Sequence, residues 1–426
     1  MGIRSMISGT VTALSSEGHG IMRHEGMVVF IPFTAPGDRI NCRIVQQKKN
    51  FCIATLVSIE ETSVHRTIPS CPYFGRCGGC QEQHLDYTTQ LNSKQQLVAD
   101  AFKRIGNLKV DVLPVVPATL QWQYRRHVTL SMHAQEGSFA VGYIETDQTT
   151  LLPVTQCPIF IDPNDPLINQ VRELTQHLKS NPEEKGRVSL FKAETDLYVI
   201  YFLLPRIPTE RAPFEEALKI YPKWAGIVLS DGREVVELGN TALTCAVNGL
   251  EFSYSPRSFI QNHPEQSLNI YTYVCGLVTT SSAKMVLDLY CGIGISSLLL
   301  ARQGCDVVGV EVSEVAVQLA QHNARKNGIK GINFKRADVG SVLPNLLKQQ
   351  PDIVVINPPR IGVEARVLDA LVKNPPKEII YISCMPSTLA RDVRALCEKG
   401  YQVKSCQPFD MFPQTAHVET VLHLSC

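Results

Sequence analysis

The sequence contains no long apolar run. No stretch reaches the ~20 residues that a membrane-spanning helix requires, and the amino-terminal residues MGIRSMISGT include no apolar leader segment. Met6 stands where a myristoylation signal needs Ser or Thr. We therefore expect a soluble protein of the cytoplasm that does not bind membranes.

A large net charge is also missing, because 41 Lys and Arg residues nearly balance 40 Asp and Glu residues and leave a formal net charge of +1. This balance provides no global field that would attract a nucleic acid, so RNA binding has to rely on local basic patches. Internal repeats and low-complexity tracts are absent too. The 426 residues do contain 44% apolar side chains, which is enough for the cores of two or three domains.

Cysteine, in contrast, is plentiful. The 14 cysteines are spread over a long chain without a signal peptide, which argues against a disulfide scaffold. Clustered thiols should then be metal ligands or catalysts. The run CPYFGRCGGC supplies Cys71, Cys77 and Cys80, and TQCPI supplies Cys157 far downstream. Four thiolates suit either a tetrahedral zinc ion or an iron–sulfur cubane, and spacing alone does not choose between them.

Residues 1–60 carry short strand signals separated by Gly- and Pro-containing turns. We predict a small β-barrel of the OB type, a fold that binds oligonucleotides on one face. Four basic residues cluster beside Phe51, namely Arg39, Arg43, Lys48 and Lys49. The cluster suits phosphate and stacking contacts with RNA, and a solvated basic face is the alternative.

From about residue 120 to residue 260 the signals are again those of strands, and from residue 283 strands alternate with helices. Successive strand–helix units predict a doubly wound parallel sheet. We therefore predict an α/β protein with three domains: the barrel at 1–60, a β-rich central domain at 61–260 and a parallel-sheet domain at 261–426.

The stretch DLYCGIG follows a strand and opens a helix, a geometry in which glycines let backbone amides approach a ligand. Ser297 replaces the third glycine of a dinucleotide fingerprint. Asp288, Glu311 and Asp338 instead lie at three successive strand ends, where an acid can hold ribose hydroxyls or an adenine amine. The pattern resembles class I S-adenosylmethionine methyltransferases, with a nicotinamide-binding Rossmann enzyme as the alternative.

The stretch IIYISCMPST places Cys384 where a buried strand ends and a helix begins near Pro386. The positive end of the helix favours the thiolate, which predicts a lowered pKa for Cys384. Further on, FDMFPQTAHVETV puts Glu419 on a strand among apolar neighbours. Taken singly, such residues are more often a core thiol and a solvated carboxylate.

A thiolate and a carboxylate base together suit methylation of uracil. Addition of the thiolate at C6 makes C5 nucleophilic, and a base can then remove the C5 proton. The stretch INPPR also favours uracil over a base amine as the target, because Arg360 stands where amine methyltransferases carry a base-stacking aromatic residue. A base-amine methyltransferase is therefore the less favoured enzyme.

The motifs DLYCGIG, INPPR, SCMPSTLARD and FDMFPQTAHVETV resemble the RNA uracil-5-methyltransferase family over nearly the whole chain. The amino-terminal barrel is similar to a TRAM domain, and the resemblance is closest to the branch that acts on 23S ribosomal RNA. It implies S-adenosyl-L-methionine as methyl donor, Cys384 as nucleophile and Glu419 as base. The implied cofactor-binding residues are Gln261, Tyr290, Glu311, Asp338 and Asn357. The implied ligands of a [4Fe-4S] cluster are Cys71, Cys77, Cys80 and Cys157.

Three positions depart from the family pattern. Asn357 is neutral where many members have Asp, Ile295 follows CGIG where Asn is common, and His263 ends SFIQNH in place of Asn. None of them removes the nucleophile or the base.

RNA is the expected partner of a monomeric enzyme. A transfer RNA substrate and a non-catalytic RNA-binding or assembly protein that keeps the fold stay open as alternatives.

Overall fold

The computed structural model describes residues 5–193 and 196–426. Residues 1–4, part of the stretch interpreted as lacking a leader, lie outside the described residues. Among the helices that the structure describes, none combines the length and the apolar character needed to cross a membrane. Three large sheets and one hairpin form the framework.

The amino-terminal unit is a six-stranded sheet. Its strands are β1 (Met6–Thr10), β2 (Ala13–Leu14), β3 (Gly20–His24), β4 (Met27–Ile31), β5 (Arg39–Gln47) and β6 (Phe51–Glu61), in the order β1-β5-β6-β4-β3-β2. All pairs are antiparallel except β4 with β6. Strand β1 also packs against β3, so the sheet curves around a core that includes Ile40, Cys42 and Ile44.

A long connection leads from this sheet to the next one. It contains helix α1 (Tyr87–Ala101), which continues as a π-helical turn over Phe102–Gly106. Asp86 caps the helix, because its side chain accepts a hydrogen bond from the backbone N of Thr89 at 2.8 Å. The left-handed residue Asn107 ends the turn.

The central unit is a seven-stranded sheet with two helices packed against it. The strands are β7 (His127–Gln135), β8 (Ser138–Ile144), β9 (Leu151–Leu152), β10 (Lys185–Lys192), β11 (Tyr198–Leu203), β12 (Trp224–Ser230) and β13 (Val235–Gly239), in the order β13-β12-β11-β10-β7-β8-β9. The helices are α2 (Leu167–Gln176) and α3 (Ala212–Ile220). Helix α2 packs on β8, and α3 packs on β12.

The carboxy-terminal unit is an α/β sheet preceded by a hairpin. The hairpin strands are β14 (Leu243–Val247) and β15 (Leu250–Tyr254). The sheet strands are β16 (Met285–Leu289), β17 (Asp306–Glu311), β18 (Ile332–Arg336), β19 (Ile353–Ile356), β20 (Glu378–Ser383), β21 (Gln402–Phe409) and β22 (Glu419–Ser425). The helices are α4 (Pro264–Thr280), α5 (Ile295–Arg302), α6 (Glu314–Lys326), α7 (Val339–Leu347), α8 (Ala365–Lys373) and α9 (Pro386–Cys397).

This last sheet is doubly wound, as the alternation of strands and helices predicts. Its order is β18-β17-β16-β19-β20-β22-β21, and β22 runs antiparallel to both of its neighbours. All four residues of β19 are buried, as expected for an inner parallel strand covered on both faces. Val98 and Phe102 join the core on one face, where α1 packs against α9.

We predict that Gly309→Ala destabilises this sheet. A Cβ at Gly309, inside β17, would lie 2.6 Å from a ring carbon of Phe334 and 3.0 Å from the sulfur of Cys291. Overpacking of this kind lowers the free energy of unfolding by about 1–3 kcal/mol. Gly276 in α4 is the matched control, because its added Cβ meets open space and Ala there should stabilise the helix by about 0.5–1 kcal/mol. Urea unfolding curves with equal or reversed shifts would show that Gly309 is not tightly packed.

Candidate active site

Strand pairing brings Cys384 and Glu419 together. Ser383, the last residue of β20, pairs with Thr420 in the antiparallel ladder between β20 and β22. Cys384 directly follows Ser383, and Glu419 directly precedes Thr420, so the two side chains leave adjacent strands at the same level. Their charges interact, since Glu419 contributes to the pKa of the Cys384 thiol.

The pKa of Cys384 is raised, so the prediction of a lowered value was wrong. Burial raises it most, and Glu419 raises it further. The guanidinium of Arg360 lowers it but does not outweigh burial. The position at the start of α9 is therefore not sufficient to make Cys384 a thiolate, because the thiol is partly buried and lies near the carboxyl group of Glu419.

Glu419 is only 3% exposed. Burial raises its pKa to about 8, and the nearby charge of Arg360 opposes this shift. A carboxyl group with a pKa near neutrality is suited to proton transfer at cellular pH. His417, two residues earlier, has its pKa lowered to about 4 by burial and by surrounding cations, so this neighbour is neutral at pH 7.

Four of the five cofactor candidates lie at one edge of the carboxy-terminal sheet. Tyr290 follows β16, Glu311 ends β17, Asp338 follows β18 and Asn357 follows β19. This edge holds the carboxyl ends of parallel strands, and the strand order reverses between β16 and β19. Open α/β sheets bind ligands at such a point.

Hydrogen bonds tie the residues of this edge to the glycine-rich loop. One carboxylate oxygen of Glu311 accepts from the backbone N of Gly292 at 3.2 Å, and the other accepts from Ser313 at 2.8 Å. The backbone N of Asn357 donates to the carbonyl of Leu289 at 3.3 Å. The strand ends and the loop therefore form one connected structure.

Tyr290 and Asp338 are close enough for the acid to influence the phenol. Burial raises the pKa of Tyr290 to about 12, with smaller contributions from Glu364 and Asp338. Asp338 caps α7, accepting from Ser341 N at 2.9 Å, and forms an ion pair with Arg366 at 3.0 Å. Its carboxylate thus already has two partners in this structure.

Four further residues singled out from the sequence are Gln261, His263, Ile295 and Asp288, and each has its own set of neighbours. Gln261 is buried in the segment before α4. His263 at the start of α4 stacks on Tyr124 with centroids 4.7 Å apart, while Ile295 is buried in the core. Asp288 accepts from the hydroxyl groups of Ser296 and Ser297 at 2.6 and 2.5 Å, so this acid braces the start of α5.

A cleft of about 1050 Å³ opens beside Cys384. Its lining includes Arg23, Phe30 and Phe51 of the amino-terminal sheet, Arg104 of the π-helical turn, and Cys384 and His417. The rings of Phe30 and Phe51 meet edge-to-face with centroids 5.5 Å apart. Cations and aromatic rings in one groove suit the phosphates and bases of single-stranded RNA.

The basic cluster predicted beside Phe51 is not what lines this cleft. Arg39 instead forms ion pairs with Glu60 at 3.1 Å and Glu61 at 3.3 Å. The sequence did not reveal Arg23, since it does not stand in a basic run. The alternation along β3 and β4 was the signal that could have placed Arg23 and Phe30 on one face.

All four candidate cluster cysteines line a second, small cavity of about 50 Å³, together with Arg125 and Tyr143. The lining thiols are Cys71, Cys77, Cys80 and Cys157. The pKa of Cys77 is raised to about 11 and that of Cys80 to about 12, mainly by burial, with a smaller contribution from Cys157. Within the residues that the structure describes, however, no three thiol, imidazole or carboxylate groups form a site for a single metal ion.

Comparison with known proteins decides the family. Residues 233–426 match a family model described as tRNA (uracil-5-)-methyltransferase, and residues 7–64 match the TRAM domain of tRNA (uracil(54)-C(5))-methyltransferase. An uncharacterized RNA methyltransferase of Protochlamydia amoebophila is 44% identical over 425 residues, which cover 99% of this chain and 98% of the relative. The chain belongs to the RNA uracil-5-methyltransferase family.

A second relative and a solved structure are also similar to this chain over nearly its whole length. An RNA methyltransferase of Synechocystis, also uncharacterized, is 34% identical over 444 residues, covering 99% of this chain and 96% of the relative. The crystal structure of Pyrococcus abyssi tRNA (uracil-54, C5)-methyltransferase in complex with S-adenosyl-L-homocysteine superposes with a TM-score of 0.77 at 24% identity, covering 98% and 100% of the two chains. The predicted class I methyltransferase fold with an amino-terminal TRAM domain is confirmed.

We predict that Arg360→Met makes Cys384 of this methyltransferase less reactive at a given pH. Arg360 lowers the pKa of the thiol, so its removal should shift the pH profile of alkylation toward higher pH. Iodoacetamide labelling of the Cys384 peptide, quantified by mass spectrometry, measures the profile. Arg394→Met is the matched control, because Arg394 on α9 pairs with Glu398 instead. Identical profiles for Arg360→Met and the unmodified chain would refute the role of this cation.

Proposed function

We propose that the protein transfers a methyl group from S-adenosyl-L-methionine to C5 of a uridine in RNA through a covalent adduct with Cys384. The observation that carries this proposal is the pairing of the buried Glu419 with Cys384, which lines a cleft that also presents cations and aromatic rings. A merely RNA-binding protein does not need a buried carboxyl group beside a thiol.

The chemistry assigned to the two residues conserves atoms and electrons. The Cys384 thiolate forms a bond to C6, and the electron pair of the C5–C6 double bond moves toward C5 and O4. S-adenosyl-L-methionine supplies the activated methyl group that C5 attacks, and the displaced sulfur keeps its electron pair. Glu419 then takes the proton from C5, the double bond forms again, and the thiolate leaves C6.

Electrostatics assign a supporting role to Arg360. Its positive charge lowers the pKa of both Cys384 and Glu419, whereas burial raises both. The cation therefore favours the thiolate needed for addition and the carboxylate needed for proton removal. This makes Arg360 a third candidate group of the active site.

The sheet edge suits the methyl donor. Backbone at Gly292 has a left-handed φ of 55°, and a Cβ there would meet nothing within 4 Å, so a ligand can approach the loop closely. We assign ribose binding to Glu311 and adenine binding to Asp338, with Tyr290, Asn357 and Gln261 completing the proposed set.

For the four cysteines we propose a [4Fe-4S] cluster rather than zinc. Their convergence on one cavity supports a shared metal group. One zinc ion needs four ligands within ~2.3 Å of a single atom, whereas each thiolate of a cubane binds a different iron. The family resemblance, carried over onto these four cysteines, favours the cubane.

The RNA substrate has two candidates. The sequence resemblance favours 23S ribosomal RNA. Transfer RNA is favoured by the matched family models and by the Pyrococcus abyssi enzyme, whose descriptions name it. A trapping experiment distinguishes these two substrates.

We predict that Glu419→Gln accumulates a covalent protein–RNA adduct, while Cys384→Ala forms none. Without a base the C5 proton stays in place and the thiolate cannot leave. Incubation with total RNA and S-adenosyl-L-methionine, denaturing gels and sequencing of the attached RNA measure the outcome and identify the substrate as ribosomal or transfer RNA. Rapid turnover by Cys384→Ala, or release of methylated RNA from Glu419→Gln at the normal rate, would contradict the mechanism.

We predict that anaerobically purified protein contains about four irons per chain and is brown. Cys77→Ser should lose the colour and lower the stability of the central unit, because ligation contributes to folding. Cys275→Ser, a buried thiol of α4, is the control that should keep the iron. Elemental analysis that finds one zinc and no iron would exclude the cluster.

A further inference from the structure

A buried ion pair connects α1 with the segment that precedes the candidate base. The side chain of Lys94 is 1% exposed, and its ammonium lies 2.6 Å from Oδ1 of fully buried Asp410. The ammonium also donates to the carbonyl of Phe412 at 3.0 Å. Tyr87 donates its hydroxyl hydrogen to the other oxygen of Asp410 at 2.8 Å. Charged groups are rarely buried so completely, and nothing in the proposed chemistry uses them.

A second contact from the same helix reaches the same segment. The side-chain amide of Gln90 donates to Oε1 of Gln414 at 3.2 Å, and its oxygen accepts from the backbone N of Gln414 at 3.0 Å. Tyr87, Gln90 and Lys94 are spaced by three and four residues, so they lie on one face of α1. We call these three residues the α1 clamp.

The clamped residue Gln414 has an unusual backbone. Its φ of 71° lies in the left-handed region, which a non-glycine residue adopts only when its surroundings hold it there. The carbonyl of Gln414 also accepts from the backbone N of Gln81 at 3.2 Å and of Glu82 at 3.0 Å. Side-chain and backbone contacts therefore fix this residue from two sides.

The clamped segment leads directly to Glu419. It occupies residues 410–418, between β21 and β22, and Glu419 is the first residue of β22. Cys384 lies on a different connection, between β20 and α9. The hydrogen bonds of the clamp to residues 410–414 thus reach the segment that leads to the base, whereas α1 and the π-helical turn meet α9, which follows Cys384, through apolar side chains such as Val98 and Phe102.

We propose that the α1 clamp positions Glu419 for removal of the C5 proton, an inference that rests on the proposed function. The clamp residues are positioning residues, because they act through the 410–418 segment. A shift of ~1 Å in a reacting group can cost about a hundredfold in rate. Loosening the clamp should slow release of the adduct while leaving its formation intact.

Single-turnover experiments on the full-length protein test this proposal with the variant Gln90→Ala. Formation and decay of the denaturation-resistant adduct are followed separately, with Glu419→Gln as reference. We expect decay at least about tenfold slower than in the unmodified chain and formation within about twofold of it. Gln95→Ala is the matched control, since this α1 glutamine donates instead to the carbonyl of Val112 at 2.8 Å and should change neither rate.

A second variant covers the case in which Gln90→Ala folds poorly. Lys94→Met combined with Asp410→Asn removes both buried charges together, which avoids leaving one charge unpaired. Slow decay with normal formation in either variant supports the clamp. Normal decay, or equal loss of formation and decay in step with a lower melting temperature, overturns it. Failure of Glu419→Gln itself to accumulate the adduct would instead overturn the proposed function.

Discussion

The register between β20 and β22 is the constraint on which the active site depends. A slip of one residue would turn every side chain of β22 to the opposite face and carry Glu419 away from Cys384. The strand cannot slip easily, because β22 is hydrogen-bonded on both sides and its Val421, Leu422 and Leu424 are fully buried. Hydrogen bonds on both edges of this short strand and close packing on both of its faces therefore fix the position of the base relative to the nucleophile.

Burial of Cys384 and Glu419 also determines the charges of the active site. Placing the thiol and the carboxyl at the end of covered strands raises both pKa values, and only Arg360 opposes the shift at both groups. Burial disfavours charge, so both groups tend to keep their protons in the free enzyme. The proposed mechanism requires each group in its deprotonated form before it acts, which gives the cation an importance that its exposed position does not suggest.

Local patterns predicted most of the fold, and distant contacts account for what they missed. The βα units, the start of α9 at Pro386 and the strand of Glu419 follow from apolar spacing over fewer than twenty residues. In contrast, Lys94 and Asp410 lie 316 positions apart, and no local pattern reveals their contact. The sign of the Cys384 pKa shift was missed for the same reason, since burial by other segments outweighs the helix end.

The sharpest experiment on covalent catalysis uses RNA that contains 5-fluorouridine. Fluorine at C5 cannot be removed as a proton, so the methylated adduct cannot resolve. We expect a stable complex in which mass spectrometry finds the methylated nucleotide attached to Cys384, formed only when S-adenosyl-L-methionine is present. Attachment at another residue, or methylated 5-fluorouridine RNA without any attachment, would contradict covalent catalysis by Cys384.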